Sequence, residues 1–429
     1  MRVLLIGAYG LIGGYVAARL LGDGHEIVGV GRDVAVARRR EPRITWVEAD
    51  LTAATMAEWV GHLIGIDAVI NCAGALQDGP RDNLTAVHVT GPLALAHACV
   101  DQGVRRFVHI SAVGVEAGSG GFNHTKQRAE QALTALDLDL IVIRPGLVLA
   151  PAAYGGSALL RGLAAFPFFV PAVHAGSTVQ VVSAEDVAAC AVNAIQPNAP
   201  ARMMATLISG ERTTLAQVLR ALRAWLGIAP APVLNVPSLI GRLGAGIADG
   251  LTWLGWRSAM RSTAIAQLAQ GVRGEPDEGA RRLGFAPRSL QDILSAWPSG
   301  VQERWYARLY FLKPLALTGL AIFWIASGVV GLASRSAAIA QLTRAGFNFD
   351  VANFIVLGGA CVDIALGLLI CLRRTARTAL KGMVLITLAY LAGATLWRPD
   401  LWADPLGPLV KTAPAAILAL VALAMMDDR

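Results

Sequence analysis

The front of the chain alternates short apolar runs with longer stretches of helical period. The runs are Val3 to Ile6, Glu26 to Val30, Thr45 to Glu48, Ala68 to Ile70, Arg106 to Ile110 and Leu140 to Ile143. Runs this short, apolar on both faces and separated by helices, predict a parallel sheet covered on each side, that is, a doubly wound α/β domain. After Arg144-Pro145-Gly146 the pattern loosens. Phe166-Pro167-Phe168-Phe169-Val170-Pro171 and the apolar stretch from Leu239 to Leu254 predict a smaller lobe, mainly within 150–300, over an apolar pocket. Arg242 and Asp249 interrupt that stretch, and its charge-free pieces fall far short of the ~20 residues a membrane span needs. It is expected to form an amphipathic lid or a membrane-touching helix.

The back of the chain changes period and polarity. Glu303-Arg304-Trp305-Tyr306-Ala307-Arg308-Leu309-Tyr310-Phe311-Leu312-Lys313-Pro314 mixes aromatic and basic residues, the composition of an interfacial linker, over 301–314. Four apolar runs follow within 315–429: Leu315 to Ala333, Val351 to Leu372 with Asp363 inside, Gly382 to Trp397, and Leu406 to Met426 with Lys411 near its start. They predict an all-α bundle of about four transmembrane helices, the first two long enough beyond argument and the last two shorter or polar-marked. Arg304, Arg308 and Lys313 precede the first run, and Arg373, Arg374, Arg377 and Lys381 separate the second from the third, so both segments and both termini are expected in the cytoplasm. A carboxyl as deep as Asp363 needs a partner or a proton. Matching depths at 1.5 Å per residue predicts a hydrogen bond to Tyr390 or Trp324, with Lys411 snorkelling outward.

Composition agrees with this division. Of 429 residues, 55% are hydrophobic and 16% charged, and the mean hydropathy of +0.53 is too high for an ordinary soluble protein. The net charge of +7 raises the question of nucleic acid, but the arginines are scattered or flank apolar runs, where a bilayer explains them better. Cys72, Cys99, Cys190, Cys361 and Cys371 form no C-x-x-C pair and are expected to be reduced thiols without a catalytic role. His88, His97, His109 and His174 lack metal-ligand spacing and are expected to be structural or solvated, with no metal site. No long apolar region with a cleavage site follows Met1, so the first domain is expected to stay in the cytosol.

The candidate chemistry lies at the ends of the predicted strands. Gly7-Ala8-Tyr9-Gly10-Leu11-Ile12-Gly13-Gly14 joins the first strand to a helix. Gly7 permits the tight turn, Gly10 lets the backbone approach a pyrophosphate, Gly13 lets helix and strand pack closely, and the helix N-terminus offers free N–H groups to phosphate. Tyr9, Leu11 and Ile12 share this turn. About 20 residues on, where an acid would select NAD, stand Gly31 and Arg32, which suit a 2′-phosphate; Asp33 follows. The expected cofactor is NADP(H), with NAD(H) as the other candidate. Asp50 and Leu51 follow the third strand, placed to meet the adenine. Asn71, Ala73 and Gly74 follow the fourth, and each of these positions is otherwise a plain turn. Ser111 ends the fifth strand and Lys126 lies on the next helix; their other readings are a cap and an exposed i,i+4 pair with Glu130.

These motifs resemble the extended or atypical branch of the short-chain dehydrogenase/reductase superfamily over roughly residues 1–300. The resemblance implies a catalytic serine at Ser111, a lysine at Lys126 that holds the nicotinamide ribose, and a tyrosine four residues before it. That position is Phe122, in Phe122-Asn123-His124-Thr125-Lys126, which has no ionisable proton. In this the chain looks like atypical relatives that bind NADPH as a sensor or structural cofactor, among them the NADPH-binding accessory subunit of respiratory complex I. His124, about 200° around the helix from Phe122, and Tyr154 are the outside candidates for an acid. Residues 305–429 look like the DoxX-like membrane family, through the helix count, Trp324-Ile325-Ala326-Ser327-Gly328 and the basic loop, which implies a redox-associated module.

Two functions remain open at this level. One is a membrane-held NADPH-dependent oxidoreductase acting on an apolar small molecule or with a membrane redox partner. The other is a non-catalytic NADPH-binding sensor or scaffold, which Phe122 favours. Partners beyond the lipid bilayer are not specified by the residues, and no nucleic acid is expected.

Overall fold

The computed structural model describes residues 1–80, 82–116, 118–405 and 407–427. The chain forms two compact units, Met1–Asp249 with Ser258–Ala307, and Gly250–Arg257 with Arg308–Arg429.

In the first unit, strands β1 (Arg2–Ile6), β2 (Glu26–Gly31), β3 (Thr45–Glu48), β4 (Ala68–Asn71), β5 (Arg106–Ile110), β6 (Asp139–Pro145) and β7 (Met203–Leu207) make one sheet in the order β7-β6-β5-β4-β1-β2-β3. All neighbours are parallel. Alternate side chains feed two cores: Val3, Leu5, Ile70, Val108 and Ile141 pack on one face, and Leu4, Ile6, Val69, Phe107 and Val142 on the other. This double burial is why the strands are continuously apolar. The six strands expected from the sequence are present, and β7 adds a seventh at the sheet edge. From β1 the chain winds outward to β3 and then returns to the opposite side with β4. The carboxyl ends of β1 and β4 therefore flank a topological switch point, where doubly wound folds bind ligands.

Three helices and a short pair of strands of the first unit also bear on the site and its surroundings. Helix α1 (Leu11–Gly22) follows β1, and α2 (Gly121–Thr134) precedes β6. The lobe contains a short parallel pair, Val170–Val173 with Val233–Val236, and helix α3 (Ser238–Leu251).

Three helices are long and apolar enough to cross a membrane: α4 (Val301–Ala333), which belongs to the second unit from Arg308 on, α5 (Phe349–Leu369) and α6 (Ala376–Trp397). Residues 301–314, expected as a linker, are helical and continuous with the first apolar run; Pro314 lies inside α4. The fourth run forms α7 (Pro408–Ala424), whose 17 residues fall short of a full span; Leu406, its expected first residue, lies outside the described residues. Gly328 and Gly367 let α4 and α5 approach closely: an added Cβ would stand 2.5 Å from Ala360 O at Gly328 and 2.9 Å from Ile325 N at Gly367.

Asp363 is buried between these helices. It accepts hydrogen bonds from Tyr390 OH at 2.9 Å and Ser327 Oγ at 2.7 Å. Tyr390 is the partner matched by depth, whereas Ser327, one turn beyond Trp324 on α4, takes the second place. The buried Trp324 Nε1 has no partner among the described residues.

Candidate functional site

The glycine turn sits at the switch point. Gly7 has φ +71° and lies under Ala73, whose N is 3.1 Å from where a Cβ would stand. Positive φ and this close approach both demand glycine. Gly13 is tighter, because its Cβ would stand 2.1 Å from Gly7 O, so α1 packs directly on the turn. The N-cap of α1 is Gly10, which supplies no side-chain cap. The first N–H groups of the helix are therefore available to an anion. Leu11 and Ile12, in that first turn, are partly buried.

Tyr9 turns from the loop onto the end of β2. Its OH accepts a hydrogen bond from Arg32 N–H at 3.1 Å, and its ring occupies the space above Gly31, where an added Cβ would stand 2.0 Å from Cε1. The sequence reading took Gly31 as the loss of an acid; the structure adds a packing reason for it. The Arg32 guanidinium forms an ion pair with Asp82 at 2.9 Å. Asp50 Oδ1 accepts from Thr52 N–H at 2.9 Å and Thr52 Oγ1 at 2.8 Å, which is the plain turn reading of that residue. Leu51 is buried in the core that holds Leu4, Ile6 and Val69, and packs against Gly91.

Under the nicotinamide side of the expected site, Asn71 is buried and ties two strands together. Its Oδ1 accepts from Ala73 N–H at 3.0 Å and its Nδ2 meets His109 Nδ1 at 3.2 Å. Lys126, 4% exposed, donates from Nζ to Ile110 O at 2.8 Å. Burial pushes its ammonium down to about 8, against the opposing charge of Glu130. A Cβ on Gly74 would stand 3.7 Å from Lys126 Nζ and 3.8 Å from His88 Nε2, so these three positions converge. Ser111 Oγ is buried and has no partner among the described residues.

Phe122 lies in the first turn of α2, and its ring meets His88 edge-on at 5.6 Å. His88 was expected to be structural, and its bonds fit that role. Nε2 accepts from Ala75 N–H at 3.2 Å, which puts the ring proton on Nδ1, facing Thr125 Oγ1 at 2.8 Å. Burial, helped by Lys126, pushes this imidazole down to about 3. A neutral, doubly bonded ring is no substitute acid for Phe122. His124 is exposed, and Tyr154 stands at the N-cap position of the helix Gly155–Ala164. A cleft of about 250 Å³ opens beside Phe122, lined by Ser119, Gly120, Gly121, Phe122, Ser262, Thr263, Ala266 and Gln267. Hydroxyl and amide groups from Ser119, Ser262, Thr263 and Gln267 stand among a lining that is otherwise mostly apolar.

Residues 3–135 match the NAD dependent epimerase/dehydratase family, and residues 321–420 match the DoxX-like family. The chain carries an SDR-like Rossmann domain followed by a DoxX-like domain. The UDP-glucose 4-epimerase of Mycolicibacterium smegmatis is 34% identical over 131 residues, covering 28% of this chain and 41% of that one. A 3-beta-hydroxysteroid dehydrogenase of Mycolicibacterium neoaurum is 30% identical over 123 residues, covering 27% of this chain and 33% of that one. An uncharacterized protein of Mycobacterium tuberculosis is 28% identical over 197 residues, covering 46% of this chain and 20% of that one. The chain thus spans less than half the length of each of these relatives. Among solved structures, the UDP-glucuronic acid 4-epimerase from Bacillus cereus, in complex with UDP-glucuronic acid and NAD, has a TM-score of 0.53 at 16% identity. The match covers 72% of this chain and 99% of that one, and it shows a shared fold.

The buried histidines of the Rossmann domain give it an acid-sensitive stability. His88 is held at about 3 and His109 well below its ordinary value, both mainly by burial. The unfolded chain takes up these protons near pH ~6.5 and the folded one does not, so stability is present above that pH and is lost as pH falls. His88, held at about 3, contributes up to about 1.4 kcal/mol per pH unit below pH ~6.5, and His109 acts in the same direction. Chemical denaturation at the two pH values checks this, and His88→Gln with His109→Gln should flatten the profile. An unchanged slope in the double variant would refute the assignment.

Proposed function

We propose that this chain is a membrane-held, NADP(H)-binding oxidoreductase of short-chain dehydrogenase/reductase type that acts on an apolar small molecule. The observation that carries the reading is Ser111 Oγ, buried without a partner, on the strand end to which Lys126 is tied through Ile110 O. Leaving a buried hydroxyl unmatched costs about 1–3 kcal/mol, a cost that a bound ligand removes. A bound nicotinamide would supply the hydride. Lys126 would hold the ribose, Ser111 would orient the substrate oxygen, and Asn71, Ala73, Gly74 and the glycine turn would bear the cofactor's middle. Leu51 and Asp50 would contribute backbone and the second carboxylate oxygen near the adenine. Support for an apolar substrate comes from the bilayer tether and from the steroid named for one relative.

A second reading, a sensor or scaffold whose dinucleotide regulates the membrane unit or a redox partner, is favoured by Phe122 and by the neutral His88. In both readings the bundle crosses the membrane four times, with α7 as the fourth, and the Rossmann domain and C-terminus face the cytoplasm. Two contacts support this topology: Arg373 Nη2 donates to Met426 O at 2.9 Å and Arg377 pairs with Asp427. They bring the C-terminus back to the basic loop between α5 and α6.

Arg32 gives the reading a quantitative test. A guanidinium on a 2′-phosphate contributes about 1.5–3 kcal/mol, or roughly ten- to hundredfold in affinity, once Asp82 gives way. Calorimetry should find NADPH bound more tightly than NADH by that factor, with Arg32→Ala erasing most of it. Equal affinities in the unaltered protein would overturn the NADP(H) preference.

A further inference from the structure

Helix α3 carries its large side chains on the outside. Its inner face is made of small residues: Gly241, Ala245 and Ala248 are buried, and a Cβ added to Gly241 would stand 2.6 Å from a Val173 methyl. Outside, Leu239 is 61% exposed, Leu243 61% and Ile247 67%. With Leu251 they recur every four residues and drift over about 120° of the helix surface, and Ile240 falls within the same stripe. A helix on a water-facing domain turns its large apolar residues inward, and a contiguous apolar stripe in the open marks a surface that meets something.

The chain leads directly from this stripe to the membrane unit. Gly250–Arg257, the next stretch of chain, belongs to the second unit, and in it Trp253, 78% exposed, and Leu254 are apolar and open. The segment is bonded to the loop after α5. Arg373 N–H donates to Leu254 O at 3.0 Å, Trp256 Nε1–H donates to Cys371 O at 2.6 Å, and the Arg373 guanidinium lies 5.6 Å from the Trp256 ring. These bonds tie Leu254 and Trp256 to the end of a membrane-length helix within the second unit. The charges have the sign that a lipid surface selects. Arg242 and Arg257 are exposed, whereas Asp249, the one acid on α3, is already paired with Arg261 at 2.6 Å. A stripe of Leu and Ile, an adjoining Trp and flanking arginines are the composition of a helix lying in the plane of the bilayer interface.

We propose that α3 is such an in-plane helix. Leu239, Ile240, Leu243, Ile247 and Trp253 enter the boundary between headgroups and acyl chains, and Arg242 and Arg257 meet anionic headgroups. This surface lies apart from the dinucleotide residues, so it stands whichever function the Rossmann domain performs.

The test uses the full chain in vesicles of mixed zwitterionic and anionic phospholipid, with Cys361→Ala and Cys371→Ala and a nitroxide on Leu243→Cys or, separately, Ile247→Cys. Power saturation compares collisions with oxygen, which concentrates in the acyl region, and with a water-soluble nickel chelate. The expected result is an oxygen preference several-fold greater at both positions than at a label on Arg39→Cys, an exposed residue of the Rossmann domain. Nickel-dominated relaxation at 243 and 247, equal to that at 39, would place the stripe in water and overturn the proposal. Spin–spin broadening that disappears on dilution with unlabelled chain would assign the face to a second copy and overturn it equally.

Discussion

Phe122→Tyr should raise hydride transfer to a carbonyl substrate by about 10²- to 10⁴-fold, the usual contribution of a positioned acid/base. The substitution adds one oxygen to a ring that already sits in the first turn of α2. Lys126 follows at i+4 and so shares that face of the helix, and its ammonium, held at about 8, would stabilise a phenolate. Ser111 Oγ, unpartnered in the same region, would share the substrate oxygen. Neither nearby histidine takes this part: His88 is neutral with both nitrogens engaged, and His124 is exposed. Single-turnover rates with bound NADPH, measured for a panel of apolar ketones, check the expectation. A variant that folds, binds the dinucleotide as before and shows no gain would mean that the site does not present a carbonyl to Phe122.

Gly13→Ala should abolish tight dinucleotide binding. The new Cβ would stand 2.1 Å from Gly7 O and 2.9 Å from Gly7 C, and both are backbone atoms that no rotamer change can move aside. Overpacking of this kind costs about 1–3 kcal/mol. It also shifts α1 away from the turn that presents its N–H groups to phosphate, so affinity should fall at least about tenfold. Gly14→Ala is the matched control, because its nearest neighbour, Ala8 O, is 4.0 Å away. Equal NADPH affinities for the two variants would show that the α1 turn does not hold the phosphates.

The Rossmann half was legible because each strand is short, apolar and followed by a glycine, a small residue or a serine at its carboxyl end. Strand β7 escaped because it is an edge strand: only Ala205 and Leu207 of Met203–Leu207 are fully buried, so its apolar signal is weak. The mixed aromatic and basic composition of 301–314 suggested a linker, whereas these residues form the first turns of α4. Ser111 and Lys126 were placed by the strand and helix pattern, and Phe122 was singled out by the resemblance to the short-chain dehydrogenase/reductase superfamily. What surrounds them did not, because those contacts join distant parts of the chain: Tyr9 fills the space over Gly31, Asp82 meets Arg32, and Thr125 meets His88. In the bundle, depth matching reached Tyr390 but passed over Ser327, whose short side chain carries no sequence signal of its own. The polar groups in the cleft beside Phe122 come mainly from Ser262, Thr263 and Gln267, far from it in sequence.

The central claim is that the Rossmann domain of this membrane-held chain binds a nicotinamide dinucleotide. Its most direct test is to purify the full chain in detergent, denature it and identify the released nucleotide by mass spectrometry, with melting curves recorded in excess NADPH and NADH. The account predicts copurified NADP(H) and a larger rise in melting temperature with NADPH than with NADH. A chain that releases no dinucleotide, and whose melting neither cofactor shifts, would contradict it.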